Sequence, residues 1–229
     1  MSEKNIIHKI RMDEWKVLMA CSGVEDLLLL ADREEEIEKT QDKKRQLILL
    51  LHSMVQKQML SIQQGKIVLM EVYRRVMHCM QQAHRIWYVE SQWSSKLYQG
   101  ILYWGEDPVW LQKDPYCKDM LQLQFLSCQG LLEMMAQMEF YEIFHSPCQV
   151  SPKEKSIILP PREQCLFWLA ETGQTGECTY YNVAVFEHQG RLYIAKGSEG
   201  ELLSCPYHQD FLCQSLRERG EWLCSLPSM

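Results

Sequence analysis

The chain has 229 residues, of which 46% are hydrophobic and 24% charged, a composition typical of a folded protein with a sizeable core. It carries 30 acidic and 24 basic residues, for a formal charge of -6. This balance argues against broad, non-specific nucleic-acid binding, which needs a basic surface to displace counterions. No apolar run approaches the roughly 18 to 20 residues that cross a bilayer, and no secretory signal opens the chain, so we expect a soluble, cytoplasmic protein.

The first third is predicted to be mostly helical. A short strand at 5–11 precedes a helix with Asp13 as its N-cap and Gly23 as its stop. Apolar residues then recur at three and four, as on one face of a helix, at Leu47, Leu50, Leu51, Met54, Val55 and Met59. A turn at Gln64–Gly65 and one brief apolar strand lead into a second amphipathic helix, which ends near Ala83.

From residue 86 the sequence becomes aromatic and β-branched between turn residues, which predicts two or three antiparallel strands over 86–115. Helical spacing over 116–145 predicts a central helix. Strand patterns return from 163, with hairpin turns at His188–Gly190 and Gly197–Gly200, and Pro206 ends them. A last helix is predicted at about 207–223.

This order of elements predicts an α+β fold with a central, mainly antiparallel sheet flanked by helical bundles. We expect one domain over 1–229. Its parts are an N-terminal helical part (1–85), a first strand set (86–115), a central helix (116–145), and a second strand set with the C-terminal helix (163–223).

The chemistry-bearing motifs of common enzymes are missing from the sequence. It has no G-x-S-x-G, no phosphate-binding G-x-x-x-x-G-K-[ST] and no G-x-G-x-x-G. Its ten cysteines include no C-x-x-C pair, and no two histidines have the H-x-x-x-H spacing. We therefore expect no catalytic residues, no cofactor, no metal site and no enzymatic activity, with the cysteines acting as reduced, small apolar residues.

The seven tryptophans suggest where a partner protein could bind. Most lie on predicted strands, and aromatic residues at exposed strand ends are favoured anchors at protein interfaces. Trp104 and Trp110 flank the turn "GEDPV" and are the two that we expect to be accessible. With Phe211 and Trp222 they make up the predicted partner-binding set.

Residues 43–85 permit a different hypothesis, a winged-helix-like DNA-binding regulator. A winged helix needs a basic recognition helix followed by a basic hairpin. The second helix is expected to carry a modest basic cluster of Arg74, Arg75, His78 and Arg85, but the turn before it holds a single lysine, Lys66. Only one strand is expected between the two helices, so nucleic-acid binding is the weaker reading. An immunity protein that neutralises a toxin by surface complementarity is a further alternative.

The N-terminal third resembles the opening of EspG-type proteins of type VII secretion systems and of their Firmicute relatives. The resemblance consists of apolar patterns: an early helix, a leucine run, a helix ending in a short turn, a "GKIVL" strand, and a helix leading into a strand. These patterns fall at Asp13–Leu18, Leu27–Leu30, Met54–Leu60, Gly65–Leu69 and Ala83–Val89.

The resemblance implies a cytosolic, non-enzymatic protein with a roughly two-fold central sheet flanked by helical bundles. EspG-type proteins hold an apolar tip of a secreted helical-hairpin substrate until it reaches the secretion machine. For a Firmicute relative, it implies an LXG-type toxin or a small WXG-type protein as the partner.

Overall fold

The computed structural model describes residues 8–24, 40–93, 96–105, 107–114, 116–117, 119–127, 130, 160–173, 179–198 and 201–225. Within these ranges, nine strands form one antiparallel sheet, two short strands form a separate hairpin, and there are four α-helices. The strands are β1 His8–Arg11, β2 Leu60–Gln63, β3 Lys66–Leu69, β4 Arg85–Trp93, β5 Lys96–Trp104, β6 Val109–Lys113, β7 Met120–Phe125, β8 Cys165–Thr172, β9 Thr179–His188, β10 Arg191–Ser198 and β11 Glu201–Pro206. The helices are α1 Met12–Ser22, α2 Thr40–Gln56, α3 Glu71–Gln82 and α4 Gln209–Ser225.

The sheet is built from two antiparallel meanders that meet at their first strands. Its order is β1-β7-β6-β5-β4-β8-β9-β10-β11, and β4 pairs antiparallel with β8 at the centre. Because an antiparallel pair has a local two-fold axis, β4–β7 and β8–β11 lie on opposite sides of a pseudo-two-fold centre. The predicted α+β class with a mainly antiparallel sheet is therefore confirmed, and β1 adds a strand at the β7 edge.

Each face of the sheet carries a hydrophobic core. On one face, side chains from α1, α2 and α3 pack against β4–β7; this first core includes Trp15, Leu18, Met54, Val76 and Ile86. On the other face, α4 packs over β8–β10 through Leu212 and Leu216. This second core also includes Trp87, Leu102, Trp104, Trp110 and Phe167.

Several predicted elements are confirmed. Strands β4, β5 and β6 fill the predicted first strand set, and β8–β11 with α4 fill the second. The β9–β10 turn has Gln189 at φ 51° and Gly190 at φ 70°, the left-handed backbone of a two-residue hairpin. Gly23, at φ 65°, ends α1 as expected.

The N-cap prediction for α1 is wrong, since the capping position is Arg11 and not Asp13. Asp13 lies in the first turn, where its carboxylate accepts a hydrogen bond from the Glu14 backbone N–H at 2.8 Å. The Glu14 side chain reaches back and accepts from the Arg11 backbone N–H at 3.1 Å. Glu14 thus supplies the reciprocal bond of a capping box, and the helix begins two residues earlier than expected.

The predicted central helix is wrong at its beginning, because Met120–Phe125 is strand β7. Leu121 and Leu123 are fully buried while Gln122 and Gln124 alternate with them, so the period is two rather than 3.6. The part of the predicted helix at 131–145 lies outside the described residues.

The single strand expected between α2 and α3 is a two-stranded hairpin. Strands β2 and β3 pair from Leu60↔Leu69 to Gln63↔Lys66. Gln64 at φ 51° and Gly65 at φ 74° close the turn, as a type I′ turn requires. The predicted turn position is confirmed, and the second strand is added to it.

Candidate functional site

The tryptophans that we expected to be accessible are buried. Trp104 is 6% exposed and Trp110 4% exposed, so the prediction that they offer a contact surface is wrong. Strands β5 and β6 are both interior strands of the sheet, and the face that carries these side chains is the second core. The Trp110 ring lies directly on Gly100 of β5, and its Nε1–H donates to Gln112 Oε1 at 3.0 Å.

The other two residues of the predicted set are on α4. Phe211 is half-buried against the second core, with Lys196 Nζ 4.2 Å from the centre of its ring. Trp222 is in the helix, but its side chain lies outside the described part of the structure. Trp104, Trp110 and Phe211 therefore belong to one hydrophobic core and do not form an open surface.

An exposed apolar surface is present elsewhere, on α2. Leu47 continues the helical stripe of Leu50, Leu51 and Met54 that packs on the first core, yet Leu47 is 47% exposed. Met54, seven residues later, is fully buried. The apolar stripe of α2 therefore extends past the core on which it packs. Next to Leu47 the helix exposes two more apolar side chains, Ile48 and Leu49 at 57% and 62%.

The β2–β3 hairpin extends the same kind of surface. Ile62 and Ile67 face each other across the two strands and are 65% and 43% exposed. They lie on the same face of the hairpin as Leu60 and Leu69, because side chains two residues apart on a strand share a face. Leu60 is 1% exposed, so one apolar stripe runs from the buried base of the hairpin to its solvent-facing tip.

We call the exposed apolar residues of these two elements the α2–hairpin surface. Its members are Leu47, Ile48, Leu49, Val55, Ile62, Ile67 and Met70. Large exposed groups of apolar side chains on a monomeric protein often mark interaction sites. Single exposed leucines need no explanation, but seven apolar side chains within 24 consecutive positions do.

A groove lies beside the hairpin, between β3, the end of α1 and α3. Its volume is about 370 Å³. Ile67 and Leu69 form one wall, and Met77 contributes from α3. The remaining lining is Cys21, Ser22, Val68, Arg74, His78 and Gln81. Burial raises the pKa of the Cys21 thiol, which disfavours the thiolate that a nucleophile would need.

The base of the α2–hairpin surface is fixed to α1 by a buried carboxylate. Glu14 is 1% exposed and accepts a hydrogen bond from Lys57 Nζ, at the end of α2, at 2.5 Å. Immediately after Lys57, Met59 and Leu60 enter the first core, and the Met70 N–H donates to the Met59 carbonyl at 3.1 Å. Both ends of the hairpin are thus tied down while its tip remains exposed.

The charged clusters inside the fold act as structural anchors. Arg219 of α4 donates from Nε and Nη2 to the two oxygens of Glu171, both at 2.7 Å, and Trp87 Nε1–H donates to the same carboxylate at 3.1 Å. Glu171 is fully buried. This pair fixes α4 on the sheet.

Asp114 organises the β6–β7 connection in a similar way. Its carboxylate accepts from Gln122 Nε2 at 3.0 Å, from the Tyr116 N–H at 2.9 Å and from Lys9 Nζ at 3.1 Å. These bonds, that from Gln122 foremost, lower the pKa of Asp114 to about 2. The carboxylate is thus already saturated by donors from the fold.

The described residues contain no group of three or more His, Cys, Asp or Glu side chains that could hold a metal ion. The winged-helix hypothesis for 43–85 requires a basic hairpin after the recognition helix. In the structure the hairpin precedes α3, and the exposed pair on its strands is the apolar Ile62–Ile67.

The signal for the α2–hairpin surface is present in the sequence. Residues 47–51 read "LILLL", five successive apolar residues. A helix turns by about 100° per residue, so five in a row cover every side of it and cannot all face one core. The three- and four-residue spacing accounts for Leu47, Leu50 and Leu51 but not for Ile48 and Leu49.

Comparison with known proteins finds similarity among solved structures and not among sequences. No protein-family model matches the chain, and no curated protein sequence matches it. Among solved structures, the Mycobacterium tuberculosis type VII secretion system chaperone EspG5, in complex with the PE25–PPE41 dimer, matches with a TM-score of 0.49 and 9% sequence identity. That match covers 93% of this chain and 95% of the other. No helix in the described ranges combines the length and apolar character needed to cross a membrane.

Proposed function

We propose that this chain is a non-enzymatic binding protein that holds an apolar helical segment of another protein on its α2–hairpin surface. The observation that carries the proposal is the overhang of α2, where Leu47, Ile48 and Leu49 remain about half exposed or more beyond the end of the first core. Full burial of an exposed leucine or isoleucine side chain stabilises a protein by roughly 1.5 to 3 kcal/mol. A partner that covers them recovers part of that free energy.

A helical partner suits this surface better than an extended one. Ile48 and Val55 are both exposed and lie two turns apart on the same side of α2, which is the i, i+7 spacing that a second helix meets by packing side chains between ridges. The outward Ile62–Ile67 pair of the hairpin offers a second group of exposed apolar side chains to the same partner.

The resemblance of Asp13–Leu18, Met54–Leu60 and Gly65–Leu69 to EspG-type proteins supports a narrower form of the proposal. In this form the chain is a cytosolic chaperone or adaptor, and its partner is a type VII secretion substrate of the helical-hairpin or LXG type. The partner-binding role would then belong to the same hairpin and helix that carry the resemblance, and not to Trp104 and Trp110.

The test is binding of the purified chain to each helical-hairpin protein encoded beside its gene, measured by calorimetry. Ile62→Thr/Ile67→Thr removes the apolar pair but keeps β-branched side chains in the strands. Ile48→Gln/Leu49→Gln likewise keeps good helix formers in α2. We expect each double variant to weaken binding by at least about tenfold, which corresponds to about 1.4 kcal/mol.

The matched control is Leu203→Thr on β11, at the far edge of the sheet. Leu203 is 56% exposed and is also an apolar strand residue, but it is not part of the α2–hairpin surface. The control should bind as the unaltered chain does. If all variants bind a partner with unchanged affinity, the α2–hairpin surface is not the binding site and the proposal fails.

A further inference from the structure

The α2–hairpin surface is basic in a chain that is acidic. Residues 44–70 contain four basic residues, Lys44, Arg45, Lys57 and Lys66, and no Asp or Glu. Asp42, the nearest acid before this segment, is offset by the adjacent Lys43. The segment therefore has a formal charge of +4, whereas the whole chain has -6.

Three of the four charges make no ion pair with the described residues. Lys57 is occupied by the buried Glu14 carboxylate. Lys44, Arg45 and Lys66 are exposed, the first two on α2 just before Leu47 and the third at the hairpin turn. The apolar surface is thus flanked by positive charge at its α2 end and at its hairpin end.

The length of α2 sets the size of the partner element. From Lys44 to Gln56 the helix rises through twelve residues, which is about 18 Å at 1.5 Å per residue. The hairpin with Lys66 begins a few residues later. A partner helix of about twelve residues or more is long enough to run along α2 from Lys44 to the end of the helix.

On the basis of the proposed function, we infer that the occupant is an amphipathic helix of a partner protein whose apolar stripe is flanked by Asp and Glu residues. The acidic side chains lie opposite Lys44 and Arg45 at one end and Lys66 at the other. Exposed ion pairs add little affinity individually, but complementary fields raise the association rate and select against partners of the wrong sign.

The test uses labelled helical peptides of about 18 residues with one common apolar stripe. Three versions carry Glu, Gln or Lys at the flanking positions, and binding to the full chain is followed by fluorescence anisotropy. We expect the Glu peptide to bind about tenfold more tightly than the Gln peptide in about 0.05 M salt, and the Lys peptide to bind most weakly. In about 0.5 M salt the difference should shrink to about twofold, since screening weakens interactions between exposed charges.

Charge reversal provides the second arm. Lys44→Glu/Arg45→Glu should invert the order, so that the Lys peptide binds more tightly than the Glu peptide. Lys113→Glu, at the end of β6 and outside the surface, is the control and should leave the order unchanged. Circular dichroism of each variant checks that the helices remain folded.

The outcomes separate this inference from the proposed function. If the three peptides bind equally and Ile62→Thr/Ile67→Thr still weakens the natural partner, the surface binds protein but acidic selection is wrong. If that variant affects neither the partner nor the peptides, the proposed function itself fails. If ultracentrifugation shows a dimer that Ile48→Gln/Leu49→Gln dissociates, a second copy of the chain is the occupant and the inference is overturned.

Discussion

Substitution of Gly100 tests whether Trp110 is a core residue. Gly100 lies on β5, and a Cβ atom added there would sit 2.2 Å from Cζ2 and 2.4 Å from Cη2 of the Trp110 ring. Non-bonded carbon atoms pack at about 3.5 to 4.0 Å, so Gly100→Ala forces the ring or the strand to move by more than about 1 Å. The ring is 4% exposed and bonded to Gln112, which leaves it little room.

The size of the effect follows from two opposed contributions. Overpacking a core costs about 1 to 3 kcal/mol. Replacing glycine by alanine in a strand stabilises the folded state by about 0.5 to 1 kcal/mol, because the unfolded chain has less conformational freedom. We expect Gly100→Ala to lower the free energy of unfolding by about 1 to 2 kcal/mol. With Trp110→Leu already present, the same change should be neutral or stabilising, for a coupling of about 2 kcal/mol between the two sites.

Urea unfolding followed by circular dichroism measures these differences for the two single variants and the double variant. Gly105→Ala is the matched control, because the nearest atom to its added Cβ is Cys79 Sγ at an ordinary 3.5 Å, and it should change stability by less than about 0.5 kcal/mol. An equal effect of Gly100→Ala with and without the Trp110 ring would refute the packing argument. Trp110 would then again be a candidate for the partner surface.

Three further predictions concern the anchors of the fold. Asp114 has a folded-state pKa of about 2 against an ordinary 3.8, so its contribution to stability, on the order of 1 to 2 kcal/mol, is present above pH 4 and is lost as the pH falls toward 2. In urea titrations across this pH range, the free energy of unfolding should fall less for Asp114→Asn than for the unaltered chain. Glu171→Gln should lower the free energy of unfolding by about 3 to 5 kcal/mol, because it removes the buried charge that pairs with Arg219. The control is the exposed pair of Glu71 with Arg74, where Glu71→Gln should lower it by less than about 1 kcal/mol. Gly65→Ala should lower the free energy of unfolding by about 1 to 2 kcal/mol. The added Cβ has no atom within 4 Å, so the effect comes from the φ of 74°. Equal thermal stability of this variant and the unaltered chain would contradict the type I′ turn.

Strands with clear turn residues on both sides were predictable from the sequence. Gln189 and Gly190 separate two runs of strand formers, and the two-residue turn fixes the pairing of β9 with β10. Strand β7 was not predicted, because its outward positions are glutamines, which also suit a helix. Its pairing with β6 is local, but its pairing with β1 joins residues far apart in sequence, which no local pattern reveals.

Burial of the aromatic residues depends on tertiary structure in the same way. The alternation along β5 and β6 shows that Trp104 and Trp110 share one face with Leu102, but it does not show whether that face is covered. A turn between two interior strands was mistaken for an exposed strand end. In contrast, the exposed side chains of α2 were indicated by "LILLL", since helix geometry alone prevents the burial of all five.

The position of the α2–hairpin surface follows from what the sheet leaves unoccupied. Both faces of the nine-stranded sheet carry hydrophobic cores, and the buried tryptophans Trp104 and Trp110 lie in one of them. The hairpin belongs to a separate two-stranded sheet, and its tip and the overhang of α2 contribute little to either core. Because Lys57 and Leu60 hold the base of these elements in place, substitutions at Ile62 or Leu49 alter the surface without loosening its support. A change in partner binding at these positions therefore reports on the surface itself, and a parallel loss of global stability would show that the surface is part of the core after all.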